Sequence, residues 1–202
     1  MPGKVDAMIR SLSALAFFAF TALGAQAVTL DPQGQIRPEL LGQALAAQES
    51  HKADTRETGR LVIVDYSLHS REPRLYVVNL QTGDVAAFRA AHGKGSDADH
   101  DGYLDSFSNV SGSSASPQGA FVTAEEYVGK HGRSLRLDGL DATNSASRER
   151  AIVVHAADYA EPEFLAQHGK LGRSNGCIVF SRADLKTFLA EVPAGTLLFV
   201  SK

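Results

Sequence analysis

The chain of 202 residues holds a single cysteine, Cys177, so it makes no internal disulfide. It has no basic stripe, and acidic side chains outnumber basic ones 23 to 20, which argues against a nucleic-acid partner. No internal repeat occurs. Only one long apolar segment is present, at the N-terminus, so no later segment reads as a membrane span. Gly93-Lys94-Gly95-Ser96 lacks the Gly-Lys-Ser/Thr tripeptide of a P-loop. His131 and His168 lack partners at zinc-ligand spacing and read as surface or loop residues.

The apolar segment reads as a secretory signal. Lys4 and Arg10 form a basic start, Leu12 to Leu23 an apolar stretch, and Ala25-Gln26-Ala27 a small-x-small cleavage site. Cleavage would leave a chain starting at Val28, periplasmic or secreted, with no membrane anchor. No cysteine follows the site, so a lipid anchor there is not expected. Residues 28–202 carry 18 basic and 22 acidic side chains and suffice for one domain with a core.

Ile36 to Lys52 shows helical periodicity, with Pro38 suited to a first turn. Residues 28–58 therefore read as an N-terminal helix and loop, and 59–202 as the main domain. Strands are expected at Leu61–Tyr66, Leu75–Leu80, Val85–Ala91, Gly119–Thr123, Ser134–Leu137, Ala151–His155 and Thr196–Val200. Gln81-Thr82-Gly83-Asp84 is a hairpin turn signal. Ser181-Arg182-Ala183-Asp184 opens a helix with a cap and an acid three residues on. The picture is a β-rich α+β domain with peripheral helices. The Gly/Ser/Asp-rich stretch from Gly93 to Ser116 is long enough to suggest function or an ordering ion.

Cys177 lies in Ser174-Asn175-Gly176-Cys177. A cysteine nucleophile needs a base or dipole to form thiolate, and donors for the oxyanion it generates. Gly176 leaves the backbone open, so amides near Gly176 and Cys177 are candidate donors. A buried structural cysteine is the other reading. His155 ends the apolar run Ala151–His155, where a buried strand reaches a sheet rim, and is placed as a general base. The order His then Cys is the reverse of papain-like hydrolases, and the Gln-Ala-Cys run of caspases is absent. Sortases share the order but need a later-strand arginine. The only arginine after Cys177 is Arg182, in the expected helix cap.

Ser116-Pro117-Gln118-Gly119-Ala120-Phe121, then His155, then Ser174-x-Gly176-Cys177 resemble the murein L,D-transpeptidase (YkuD-type) catalytic domain across Leu61 to Lys202. A divergent exported branch is more similar still. That likeness is carried by His92-Gly93-Lys94-Gly95-Ser96, Phe107-Ser108-Asn109, Gly129-Lys130-His131-Gly132, Ser134 to Leu140, and Gly172-Arg173-Ser174.

The resemblance implies a curved mixed sheet or sandwich with the Cys/His pair at one rim. Cys177 would be the nucleophile and His155 its base, oriented by the Ala156 carbonyl. Ser174, Asn175 and Gly176 would shape the turn and oxyanion hole. The substrate would be a peptidoglycan stem peptide, captured as a thioester and passed to an amine, with no cofactor and with acylation by carbapenem-type β-lactams. Val179 stands where the family has an arginine, and Asn175 where many members have histidine. Arg173 is therefore expected to supply the guanidinium, for a substrate carboxylate or to hold the turn. His92 has two readings, a strand-end residue or part of the substrate cleft. Hydrolysis of the same thioester and a non-catalytic wall-binding module are the alternatives.

Asp97-x-Asp99-x-Asp101-Gly102-Tyr103-Leu104-Asp105 matches the first nine positions of an EF-hand calcium loop, but Ser108 stands at the twelfth instead of Glu. Two readings follow, a Ca2+-ordered loop and a solvated acidic one. Glu125 with Glu126, and Arg148-Glu149-Arg150, read as solvated charge.

Overall fold

Leu61 to Tyr66 is apolar at five of its six positions, and all six are buried, so this strand must be covered on both faces. A computed structural model, which describes Gly3 and residues 28–202, supplies the two covers. The signal expected over residues 1–27 lies outside the described residues, Gly3 apart. Leu61 and Ile63 join Ile36, Leu40 and Ala44 in one apolar cluster. Val62 and Val64 face the other way, into the main core with Phe121, Phe180 and Phe188. This alternation follows from the two-residue period of a strand.

The elements in chain order are α1 (Pro38–Ser50), β1 (Glu57–Asp65), β2 (Leu75–Asn79), β3 (Val85–Phe88), β4 (Gly119–Gly129), β5 (Gly132–Gly139), β6 (Val153–Ala156), α2 (Pro162–His168), β7 (Ile178–Phe180), α3 (Arg182–Glu191) and β8 (Thr196–Ser201). The eight strands form one sheet in the order β3-β2-β1-β8-β4-β5-β6-β7. The β1/β8 and β6/β7 pairs are parallel and the others antiparallel. Just past β3, Ala91 bridges Val179 of β7 and nearly closes the sheet around its core. The fold is the β-rich α+β class that the sequence indicates.

The helix expected over 36–52 is α1, with Pro38 in its first turn and Leu40 and Ala44 buried. Arg37 forks onto both carboxylate oxygens of Asp65 (2.8 and 3.0 Å), tying the start of α1 to the end of β1. Helix α3 begins at the expected cap, where Asp184 N donates to Ser181 Oγ (3.1 Å). Strand β1 starts at Glu57, two residues before the expected domain boundary, and α1 packs on the same sheet. No helix among the described residues is long and apolar enough to cross a membrane.

Strands β4 and β5, like β1, run past their sequence pattern. Strands β4 and β5 extend into a hairpin whose tip is Lys130-His131, with a bulge between Thr123 and Glu126. Its outer half is exposed, Val128 at 83%, so no apolar alternation marks it. Strand β7 is three residues long and directly follows Cys177, too short to carry a periodic signal.

Candidate active site

The segment Gly172–Cys177 leads into β7 as a loop pinned at almost every turn. Ser174 Oγ donates to the Cys177 carbonyl (2.8 Å) and accepts from Gly176 N (3.0 Å). Gly176 has φ 117°, open to glycine and strained for other residues. A Cβ there would also sit 2.7 Å from the Ala115 carbonyl oxygen. Because the Gly176 N–H is taken by Ser174, it is not a free oxyanion donor. That expectation is corrected by the ring which the serine itself closes.

Ser116, from the Ser-Pro-x-Gly turn, braces the loop from below. Its hydroxyl accepts from Gly93 N (2.9 Å) and donates to the Gly176 carbonyl (3.3 Å). Ser174 N donates to the His92 carbonyl and Lys94 N to the Ser174 carbonyl, both at 2.8 Å. The residues 92–96 and 116 that carried the resemblance are thus the supports of the cysteine loop.

His92 does not line the cleft. It is 1% exposed and held on both ring nitrogens. Arg74 Nη2 lies 2.7 Å from Nδ1, and Asp97 Oδ2 lies 3.0 Å from Nε2. Arginine can only donate, so Nδ1 accepts and Nε2–H donates to the carboxylate. Burial above all, then the Arg74 charge, pushes His92 down to about 4, so the ring is neutral. Burial works against ionising Asp97, but the His92 and Gly102 N–H bonds outweigh it and hold the carboxyl below its usual range. The expectation of His92 as a substrate contact is corrected: no ring nitrogen is left for a ligand.

Cys177, half-buried, and His155, 2% exposed, line one cleft of about 420 Å³. His155 Nδ1 lies 3.0 Å from the carbonyl oxygen of Ala156. A carbonyl only accepts, so the proton sits on Nδ1 and Nε2 carries a free lone pair. Burial lowers the His155 pKa, and the His131 and Lys130 charges push the same way against the Ala156 carbonyl. Burial raises the Cys177 thiol, partly offset by Val153 N–H, Arg150 and Lys130. Both shifts favour a thiol and a neutral imidazole over a preformed ion pair. The thiol donates to the carbonyl of Ala151 (3.6 Å), a residue held at φ 53°.

Ser174, Asn175 and Arg173 also line the cleft. Arg173 donates through Nη1 to the Asp97 carbonyl, so it holds the turn. Val179 is fully buried among Ala91, Ala160 and Leu171, a pocket that takes an aliphatic side chain.

Seven cleft residues were not among the site candidates of the sequence reading: Tyr127, Lys130, His131, Arg150, Ala151, Val153 and Tyr159. Lys130 and His131 arrive on the β4–β5 tip, and His131 stacks on His155 (centroids 4.3 Å apart, 23° between planes). Arg150 and Tyr159 complete the wall. The branch motif Gly129-Lys130-His131-Gly132 was the signal for Lys130 and His131. Arg150, read as solvated charge, instead bonds the Ser108 and Ala115 carbonyls.

In the acidic loop, oxygens of Asp97, Asp99 and Asp101 lie within 4.8 Å of one another. Asp97 Oδ1 accepts from Asp101 N (3.0 Å) and Asp101 Oδ1 from Tyr103 N (2.8 Å). Glu125 and Glu126 are exposed and paired, with Arg148 and Arg133 respectively.

Comparison with known families matches residues 32–201 to the L,D-transpeptidase catalytic domain. Among solved structures, an L,D-transpeptidase from Mycobacterium smegmatis is similar at 16% identity and TM-score 0.44, over 71% of this chain and 59% of that one. One from Mycobacterium tuberculosis H37Rv is similar at 16% and 0.45, over 71% and 58%. L,D-transpeptidase 3 from Mycobacterium tuberculosis, in complex with a faropenem-derived adduct, is similar at 15% and 0.45, over 71% and 60%. The chain thus spans about three fifths of each of these structures. No curated protein matches it.

Proposed function

This chain belongs to the L,D-transpeptidase catalytic domain family, and from that premise we propose that it is a peptidoglycan L,D-transpeptidase with Cys177 as nucleophile and His155 as general base. One arrangement carries this reading. The sole thiol shares a cleft with a histidine whose Nδ1–H is tied to the next carbonyl, which leaves Nε2 as the base.

His155 Nε2 takes the thiol proton as Sγ bonds to the scissile carbonyl carbon of a stem peptide, beside its diaminoacyl residue. The Cys177 amide is the proposed oxyanion donor, since that of Gly176 is engaged. The imidazolium returns the proton to the departing nitrogen, the C–N bond breaks, and the C-terminal D-residue leaves a thioester. An amine of a second stem then attacks the thioester carbonyl. His155 takes its proton, the C–S bond breaks, and the sulfur regains a proton from the imidazolium. No step calls for a metal or cofactor. The N-terminal apolar stretch and its cleavage site favour a periplasmic or secreted place of action.

Incubation of the protein with tetrapeptide-containing muropeptides, read by mass spectrometry, tests this. The expected product is a cross-linked dimer or an exchange product, lost in Cys177→Ala. Shortened stems alone would move the assignment to a hydrolase. No change in the muropeptides, with no thiol adduct from a carbapenem, would leave a non-catalytic module.

A further inference from the structure

The cleft around Cys177 is lined by three cations, Lys130, Arg150 and Arg173, and by no carboxylate. Residues 28–202 as a whole carry more acid than base, so this wall does not sample the average surface. An unscreened cationic cleft favours an anionic ligand.

The three cations are not equivalent. Arg173 is turned onto the Asp97 carbonyl. Arg150 is half-buried, and its acceptors are all neutral: the Ser108 carbonyl, the Ala115 carbonyl (2.6 Å) and Ser113 Oγ (3.3 Å). Those bonds use three of its five N–H groups and leave its charge uncompensated. Its Nη2 is 3.2 Å from where a Cβ on Gly176 would stand, beside the nucleophile. Lys130, exposed on the β4–β5 tip, lines the same cleft. The charges of both act to lower the Cys177 pKa.

We propose that Arg150, seconded by Lys130, reads the free C-terminal carboxylate of the donor peptide, the carboxylate borne by the residue that leaves. This rests on the transpeptidase reading. The chemistry fits the placement, because that carboxylate is one carbon beyond the scissile nitrogen. A cation beside Sγ therefore meets it while the scissile carbonyl is at the sulfur. Two N–H groups of Arg150, Nε–H and one on Nη1, remain to donate to it. The cleft thereby selects donors cut one residue from a free C-terminus, and rejects longer or amidated ends.

The test compares two donors with the same scissile bond, a stem tetrapeptide and its C-terminal amide. In the wild type kcat/KM should favour the free acid by about ten- to a hundredfold. Arg150→Met should bring the ratio near one, Arg150→Lys should retain part of it, and Lys130→Met should lower it a few-fold. Arg173→Met should keep the ratio even where total activity falls. A merely structural role of Arg150 would depress both donors alike and leave the ratio unmoved, which overturns the proposal. So does a wild-type ratio near one with both donors consumed, a result that leaves the transpeptidase reading standing. If neither donor is consumed, both readings fall. Should Arg150→Met not fold, the wild-type ratio and the exposed Lys130→Met variant still decide.

Discussion

The Nδ1 of His155 points at the carbonyl of the residue that follows it, Ala156, at 3.0 Å. That one bond fixes the tautomer and turns the basic nitrogen away from the backbone. It does for this histidine what a carboxylate does in other Cys/His pairs, without adding a negative charge to the cleft.

The missing charge has a consequence for pH. His155 lies below its ordinary value of 6.5, and Cys177 lies above its ordinary 9.0. The rising limb of kcat/KM should therefore fall below pH 6.5, as Nε2 loses its proton. Alkylation of Cys177 by iodoacetamide should climb only in alkaline solution. A thiol that alkylates with a midpoint under pH 7 would mean a preformed ion pair and sink the general-base account.

Cys177→Ala should abolish acylation and cross-linking while changing unfolding free energy by less than about 1 kcal/mol. The side chain is half-buried and its bond to Ala151 is long. Loss of the folded state in urea would show instead that the cysteine is part of the core.

Gly176→Ala should cost roughly 1–3 kcal/mol in denaturant melts and slow acylation. It forces a side chain into φ 117° and against the Ala115 carbonyl. A variant of wild-type stability would contradict the loop geometry.

His92→Phe keeps the ring's shape but strands Arg74 and Asp97, both fully buried. The loss should reach roughly 3–5 kcal/mol, far beyond that of a surface histidine. The same residue sets an acid limb in the wild type. Its folded pKa, about 4, lies under its ordinary 6.5, so the unfolded chain binds the extra proton. Stability is full above that upper value and declines as pH falls toward 4, by about 3 kcal/mol at most. Urea midpoints measured from pH 7 to pH 4 check the sign; a midpoint rising in acid would refute it.

The acidic loop gives a metal test. Asp97 is already bonded to His92, Asp101 N and Gly102 N. Melting should therefore coincide in calcium and in chelator. A clear rise with millimolar calcium would restore the EF-hand reading.

Cys177 and His155 were legible because each closes a recognisable local pattern, a Gly-Cys turn and an apolar run. The supports were legible only as a resemblance: Ser116 and His92 carry no chemistry until they are seen beneath the loop. His131 does lie in an exposed turn, as read, but its place in the cleft was not foreseen, and Arg150 was misread. A charged residue in a polar stretch looks solvated, and nothing local says that a hairpin or a turn will carry it to the sulfur.

The sequence alone determined the strands that bury both faces, the first-turn proline of α1, the cap of α3, the lone thiol and its order after the histidine. Those features depend on neighbours within a few residues, where period and turn chemistry act. Only the tertiary structure decided which side chains share the cleft, which amide is spent on Ser174, and that His92 lies under the site and not in it. These depend on the sheet nearly closing on itself, so that Ala91 meets Val179 and segments 60 or more residues apart share hydrogen bonds. Burial then sets the protonation of His155, Cys177 and His92, and burial belongs to the fold and not to any stretch of the chain.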